Sequence, residues 1–136
     1  MYRLLLVSPD KDALSALAST LSTHSDVQIS RAESGAMALT MISNAPVDLV
    51  VTDEKLGDMT GLDLALKMLS VNPMINCAAA SSLSHNAFHE ASEGLGLMAQ
   101  LPLQPGAEHA EGLLNRLKEV KSLAAGVMSG LKKDPG

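Results

Sequence analysis

Four consecutive apolar residues, Leu4, Leu5, Leu6 and Val7, halt at Ser8-Pro9-Asp10. A run that short and without alternation predicts a strand covered on both faces, as in a parallel sheet. Beyond it Leu14, Leu17, Ala18 and Leu21 recur at i, i+3, i+4 and i+7. That spacing predicts an amphipathic helix, with Asp10 or Ser8 as its cap. The unit then repeats. Residues 27–32 form a weaker strand, and Ser34 precedes a helix over 36–42 with Ala38, Met41 and Ile42 inward, broken at Asn44-Ala45-Pro46. Residues 47–52 are a second buried strand ending at Asp53. Gly57 and Gly61 mark a loop, and a helix over 62–69 turns Leu62, Ala65, Leu66 and Leu69 to one side. Asn72-Pro73 stops it. A small-residue strand over 74–80, a helix opened by Ser84 and running through Phe88 and Ala91, and a strand over 97–101 before Pro102 follow. Strand and helix alternate five times with short connections, the pattern of an open, doubly wound parallel sheet. Right-handed crossovers put helices on both faces. Ligands of such sheets sit at the carboxyl ends of the strands, which directs attention to Ser8-Pro9-Asp10, Asp53, Ala79 to Ser82, and Leu101-Pro102.

The last helix is the unusual one. From 107 to 132 there is no proline, and Ala110, Leu113, Leu117, Val120, Ala124, Val127 and Leu131 step by three and four, a heptad pattern. Its length of about 39 Å exceeds what a sheet needs covered. A body over 1–122 and a helical extension with tail over 123–136 is the expected division. Two readings of the extension stay open: a final helix weakened by Gly112, Gly126 and Gly130, or a seam for a homodimer through the last strands and this helix.

Composition narrows the function. In 136 residues there are one Tyr, one Phe and no Trp, but 8 Met, so the core is aliphatic and the stacking platforms of single-strand readers are missing. A net charge of -5 removes the electrostatic footprint of a nucleic-acid surface. The lone Cys77 makes no internal disulfide, no run is long enough to span a bilayer, and no signal peptide is read. The expectation is a small acidic cytoplasmic domain with neither nucleic acid nor membrane as partner.

Three stretches, in order on this βα pattern, resemble the receiver domain of two-component response regulators. They are Arg3-Leu4-Leu5-Leu6-Val7; Ala32-Glu33-Ser34-Gly35 with Val47-Asp48-Leu49-Val50-Val51-Thr52-Asp53; and the loop Asp53-Glu54-Lys55-Leu56-Gly57-Asp58-Met59-Thr60-Gly61-Leu62, with the family's aspartate-to-glycine spacing. The resemblance covers residues 3 to about 121. It implies a flavodoxin-like α/β sandwich of five parallel strands in order 2-1-3-4-5, and phosphoryl transfer from a histidine kinase to Asp53. It also implies an acidic pair holding Mg²⁺ after the first strand, a Ser or Thr ending the fourth, and a Lys before a proline ending the fifth. Dispersed phosphoryl charge requires such groups.

This chain departs from that pattern. The acidic pair falls on Ser8 and Pro9, the Lys on Leu101 before Pro102, the hydroxyl on Ala79, and the switch aromatic on Met98. Ser81, two residues on, faces the same side as Ala79, and Asp10 and Lys55 are the substitutes nearest to hand. One charge pair about 4 Å apart is worth on the order of 4 kcal/mol at an effective dielectric near 20, so the missing Lys alone costs about three decades in stabilising a phosphoryl group.

The expected function is therefore an atypical receiver that acts by docking a histidine kinase, an output protein or a copy of itself. In the family such contacts are made around the fourth helix, fifth strand and fifth helix, here roughly 84–121. No cofactor is expected. Mg²⁺, with Asp10 and Asp53 as its only candidates, enters in the alternative, a phosphorylatable Asp53 served by Asp10 and Ser81. Plainer roles stand beside each residue: a strand-end Asp53 bonded to loop amides, Asp10 and Asp12 favoured by a helix dipole, Lys55 in solvent, His85 and His89 as surface residues rather than metal ligands, and Cys77 an inert hydrophobe. Flavin binding lacks a hydroxyl-rich phosphate loop and ring-stacking aromatics, and a haloacid-phosphatase centre lacks a second aspartate at position 55.

Overall fold

The computed structural model describes residues 1–133, and side chains as far as Leu123. Strands β1 (Tyr2–Val7), β2 (Val27–Ala32), β3 (Leu49–Thr52), β4 (Asn76–Ala80) and β5 (Ala99–Leu101) alternate with α1 (Ser15–Leu21), α2 (Gly35–Asn44), α3 (Gly61–Val71), α4 (His85–Ala91) and α5 (Ala107–Lys133). All pairings are parallel and the order is β2-β1-β3-β4-β5. This is the doubly wound, flavodoxin-like sandwich that the pattern predicts. The chain leaves β1 for the sheet edge at β2, then crosses back to β3 on the other side. The switch in direction lies between β1 and β3, and Ser8 and Asp53 follow those two strands.

The unbroken apolar runs are explained by burial on both faces. Leu4, Leu6, Leu49 and Val51 pack with Leu14, Leu17 and Leu21 of α1 and Ala110, Leu113, Leu114 and Leu117 of α5. Leu5, Val7, Val50 and Cys77 face the other way, against Ala38 and Ile42 of α2 and Leu64, Ala65 and Met68 of α3. Ion pairs fasten α5 to the amino-terminal end of the sheet: Lys118 to Asp26 at 3.0 Å, with the ammonium over the Tyr2 ring, and Lys121 to Asp48.

Three expectations need correction. Helix α1 begins at Ser15 without a side-chain cap. Asp10 Oδ1 instead accepts the Asp12 N–H at 2.9 Å, in the turn before the helix. On α3 the inward residues are Leu64, Ala65 and Met68, whereas Leu66 is 57% and Leu69 37% exposed. Gly61 lies on that same buried face, against the Asp53 carbonyl, where a Cβ would stand 2.4 Å away. On α5 burial stops at Leu117 and Val120 is exposed, while Ala124, Val127, Leu131 and the tail fall outside the described side chains. No helix among the described residues is long and apolar enough to cross a membrane.

Candidate functional site

The β1–β3 ladder delivers the site. Asp53 N–H donates to Val7 O at 2.9 Å, and Ser8 N–H to Ala32 O at 3.0 Å, so both residues continue paired strands and their side chains emerge together. Ser8 Oγ lies 2.9 Å from Asp53 Oδ2. It also lies 2.9 Å from the Asp10 carbonyl and accepts the Asp10 N–H at 3.1 Å. A hydroxyl has one hydrogen to give, and a carboxylate is the stronger acceptor. Asp53 Oδ1 takes the Glu54 N–H at 2.8 Å.

The loop after Asp53 is fixed at several points. Lys55 and Thr60 form an antiparallel bridge, Leu56 N–H donates to Met59 O at 2.9 Å, and Gly57 turns the chain at φ 87°, a conformation that L side chains resist. Thr60 and Asp63 form a reciprocal capping box on α3. Asp58 reaches out of the loop and accepts the Gly35 and Ala36 N–H groups, each at 3.0 Å. Those two backbone donors hold its carboxyl below the usual carboxylate range.

The remaining candidates separate. Asp10, exposed, accepts the Asp12 N–H with Oδ1. Lys55 is exposed, as expected. Ala79 is buried, and Leu101 lies in the core shared with α1 and α5; Pro102 is exposed behind it. Among the described residues no Lys or Arg forms an ion pair with Asp53, and no three His, Cys, Asp or Glu side chains gather as a metal-binding group. His85 and His89 stand exposed on α4. Cys77 is buried and free, its thiol pushed up to about 12 by burial.

Ser81 does not turn to Asp53. Its hydroxyl donates to Glu54 Oε2 at 3.1 Å and accepts the Leu83 N–H. Glu54 also takes the Ser82 N–H at 2.6 Å and the Ser82 hydroxyl at 2.9 Å. The Ser82 N–H leads in holding the Glu54 carboxyl below its usual range, against the opposing effect of burial. A cleft of about 360 Å³ opens beside this junction, lined by Lys55, Thr60, Leu62, Ala79, Ser82 and Leu83 among others. Sequence reasoning flagged the segment holding Ser82 and quoted Glu54 and Asp58 in the loop, but assigned none of the three a role, because each bonds a residue more than twenty positions away.

The comparisons agree with this geometry. The model of the response regulator receiver domain family matches residues 4–102. No curated protein matches the chain. Among solved structures, a CheY-like receiver domain protein from Methanospirillum hungatei superposes with TM-score 0.78 at 21% identity, covering 90% of this chain and 98% of its own. The chemotaxis response regulator CheY4 of Vibrio cholerae gives 0.74 at 18%, covering 86% and 98%. A protein named as an adenylate cyclase from Rhodopirellula baltica gives 0.79 at 22%, covering 96% and 97%. With an aspartate closing the third strand at the switch point, and a family match over most of its length, this chain belongs to the response regulator receiver domains, signalling modules of two-component systems.

Proposed function

We propose that this receiver works as a docking scaffold with little or no Mg²⁺-dependent phosphorylation of Asp53, its partners being a histidine kinase, an output protein or a second copy of the chain. The observation that carries the reading is the set of groups around the Asp53 carboxylate: one neutral hydroxyl from Ser8 and one backbone N–H from Glu54. A hard dication wants several oxygen ligands, carboxylates foremost. Ser8 offers a hydroxyl already shared with Asp10, Pro9 offers no side-chain donor atom, and the Asp10 carboxylate is engaged by the Asp12 amide. That donor set does not fit Mg²⁺. Transition-state charge on a phosphoryl group also needs a cation, and the position before Pro102 carries Leu101, buried with the aliphatic core.

The phosphorylatable alternative would call on Asp10 and Ser81. Ser81 gives its one hydroxyl hydrogen to Glu54, and Asp10 Oδ1 accepts an N–H within its own turn. A body over 1–122 with an extension over 123–136 accompanies the proposal, the helix α5 running through that boundary and burial among its described side chains ending at Leu117. A cytoplasmic setting and no nucleic-acid or membrane partner suit the net charge of -5.

Intact-mass spectrometry after incubation with a small-molecule phosphodonor and Mg²⁺ tests the reading. The expected result is an unmodified mass, or addition well below one equivalent. Stoichiometric addition of one phosphoryl group, abolished in Asp53→Asn, would overturn it.

A further inference from the structure

Glu54 stands between the loop after β3 and the loop after β4, and its bonds run in both directions. Toward Asp53, its N–H donates to Oδ1 at 2.8 Å, and its carbonyl accepts the Gly61 N–H at 3.0 Å at the start of α3. Toward β4, its carboxylate receives three donors: the Ser82 N–H, the Ser82 hydroxyl and the Ser81 hydroxyl. Ser81 in turn accepts the Leu83 N–H at 3.1 Å, and Ser84 accepts the Ala87 N–H at 3.1 Å as the cap of α4. From Ser81 to Ala87 the segment hangs on few other bonds. Ser81 N–H donates to Leu101 O at 2.9 Å, Gln100 Nε2 donates to Leu83 O at 2.9 Å, and Phe88 is the one buried side chain of α4.

We propose that Glu54 is a positioning residue, a built-in anionic latch that claims the hydroxyls at the end of β4 and holds the β4–α4 segment, and with it helix α4, in one arrangement independent of any charge added at Asp53. Two physical points support this. A carboxylate accepting three donors, one of them a backbone N–H, makes charge-assisted bonds about twice as strong as neutral ones. And a hydroxyl already bonded to an internal anion has no hydrogen left for a second acceptor, so a new group at Asp53 would have to compete with Glu54 for Ser81. The scaffold reading gains a mechanism from this: a docking face need not be switched if it is held. The latch deepens that reading and rests on it only for its purpose; its existence is measured in the untreated protein, without phosphodonor, so the two proposals fail separately.

Amide hydrogen exchange followed by NMR on the full chain tests it, comparing wild type with Glu54→Ala, the near-isosteric Glu54→Gln and Ser82→Ala. Glu54→Ala is expected to speed exchange at Ser82, Leu83, Ala87 and Phe88 at least tenfold while Leu5, Leu17 and Val50 keep their wild-type rates. Glu54→Gln, which keeps shape and one acceptor but loses the charge, is expected to fall between the two, and Ser82→Ala to reproduce part of the effect. Unchanged rates from Leu83 to Phe88 in Glu54→Ala, with only the Ser82 amide altered, would overturn the latch and leave a local bond. If Glu54→Ala loses protection everywhere, Glu54→Gln decides: faster exchange confined to 82–88 supports the latch, and wild-type rates there refute it.

Discussion

Replacing Ser8 by Asp tests whether one added carboxylate is enough to make a metal site beside Asp53. Ser8 Oγ stands 2.9 Å from Asp53 Oδ2, so a carboxylate grown from position 8 brings two negative groups to roughly 4 Å, a repulsion of about 1–4 kcal/mol between aqueous and protein-surface screening. The local backbone accepts the change, since an Asp side chain can take over the Asp10 N–H that Ser8 now accepts. In EDTA at neutral pH, Ser8→Asp should therefore unfold several degrees below wild type. Mg²⁺ relieves the repulsion by bridging. With millimolar affinity, on the order expected of a small open carboxylate site, 10 mM Mg²⁺ would return about 1.4 kcal/mol. For a chain of this size that is about 5 °C in Tm. Differential scanning fluorimetry of both proteins with and without Mg²⁺ reads it directly. The reasoning is refuted if wild type rises with Mg²⁺ as much as the variant does, or if the variant ignores the ion altogether.

Other consequences are equally direct. Burial of Asp48 raises its carboxyl, but the Arg3 N–H at 2.8 Å and Lys121 outweigh that and leave it lowered. Its stabilising share is present above the unfolded-state carboxylate range and lost as pH falls through the lowered folded value. Asp48→Asn should cost about 1–2 kcal/mol at pH 7, with the difference from wild type in urea titrations shrinking below pH 4. Gly61→Ala drives a methyl to 2.4 Å from the Asp53 carbonyl and 2.9 Å from Thr52 Cγ2. That overpacking should cost about 1–3 kcal/mol and shift the Asp53 and Glu54 amide resonances; an unshifted spectrum would contradict the contact. His109 Nδ1 accepts the Gly106 N–H at 3.0 Å, the return half of a capping box on α5. His109→Glu should keep chemical-denaturation stability near wild type, because Glu serves that role in other helices, while His109→Leu should lose about 0.5–1 kcal/mol.

The fold was legible because burial on both faces leaves its mark on composition: Leu4-Leu5-Leu6-Val7 and Leu49-Val50-Val51 allow no other economical reading, and the strand order follows from the family likeness of the loop after Asp53. Helix α3 was misread because periodicity fixes a helix but not its rotation. The stripe Leu62, Ala65, Leu66 and Leu69 competes with Gly61, Leu64, Ala65 and Met68; Ala65 belongs to both and is buried, and the second face, with Gly61 close against Asp53, is the one turned inward. The site shows the same division. That Leu101 and Ala79 carry no charge could be read one position at a time, whatever their surroundings. The long-range bonds of the loop could not, because Glu54 meets Ser82 across 28 residues and Asp58 meets Gly35 across 23. Both are carboxylates one expects at a turn to face water, and both are instead turned onto backbone N–H groups of a neighbouring segment. A loop that resembles a phosphorylation loop in spacing is thus pinned at its two flanks by its own acids, to α2 through Asp58 and to the β4–α4 segment through Glu54. Those bonds keep the loop in shape without a metal or an added charge, which is what a receiver needs if its work is to present a surface rather than to change one.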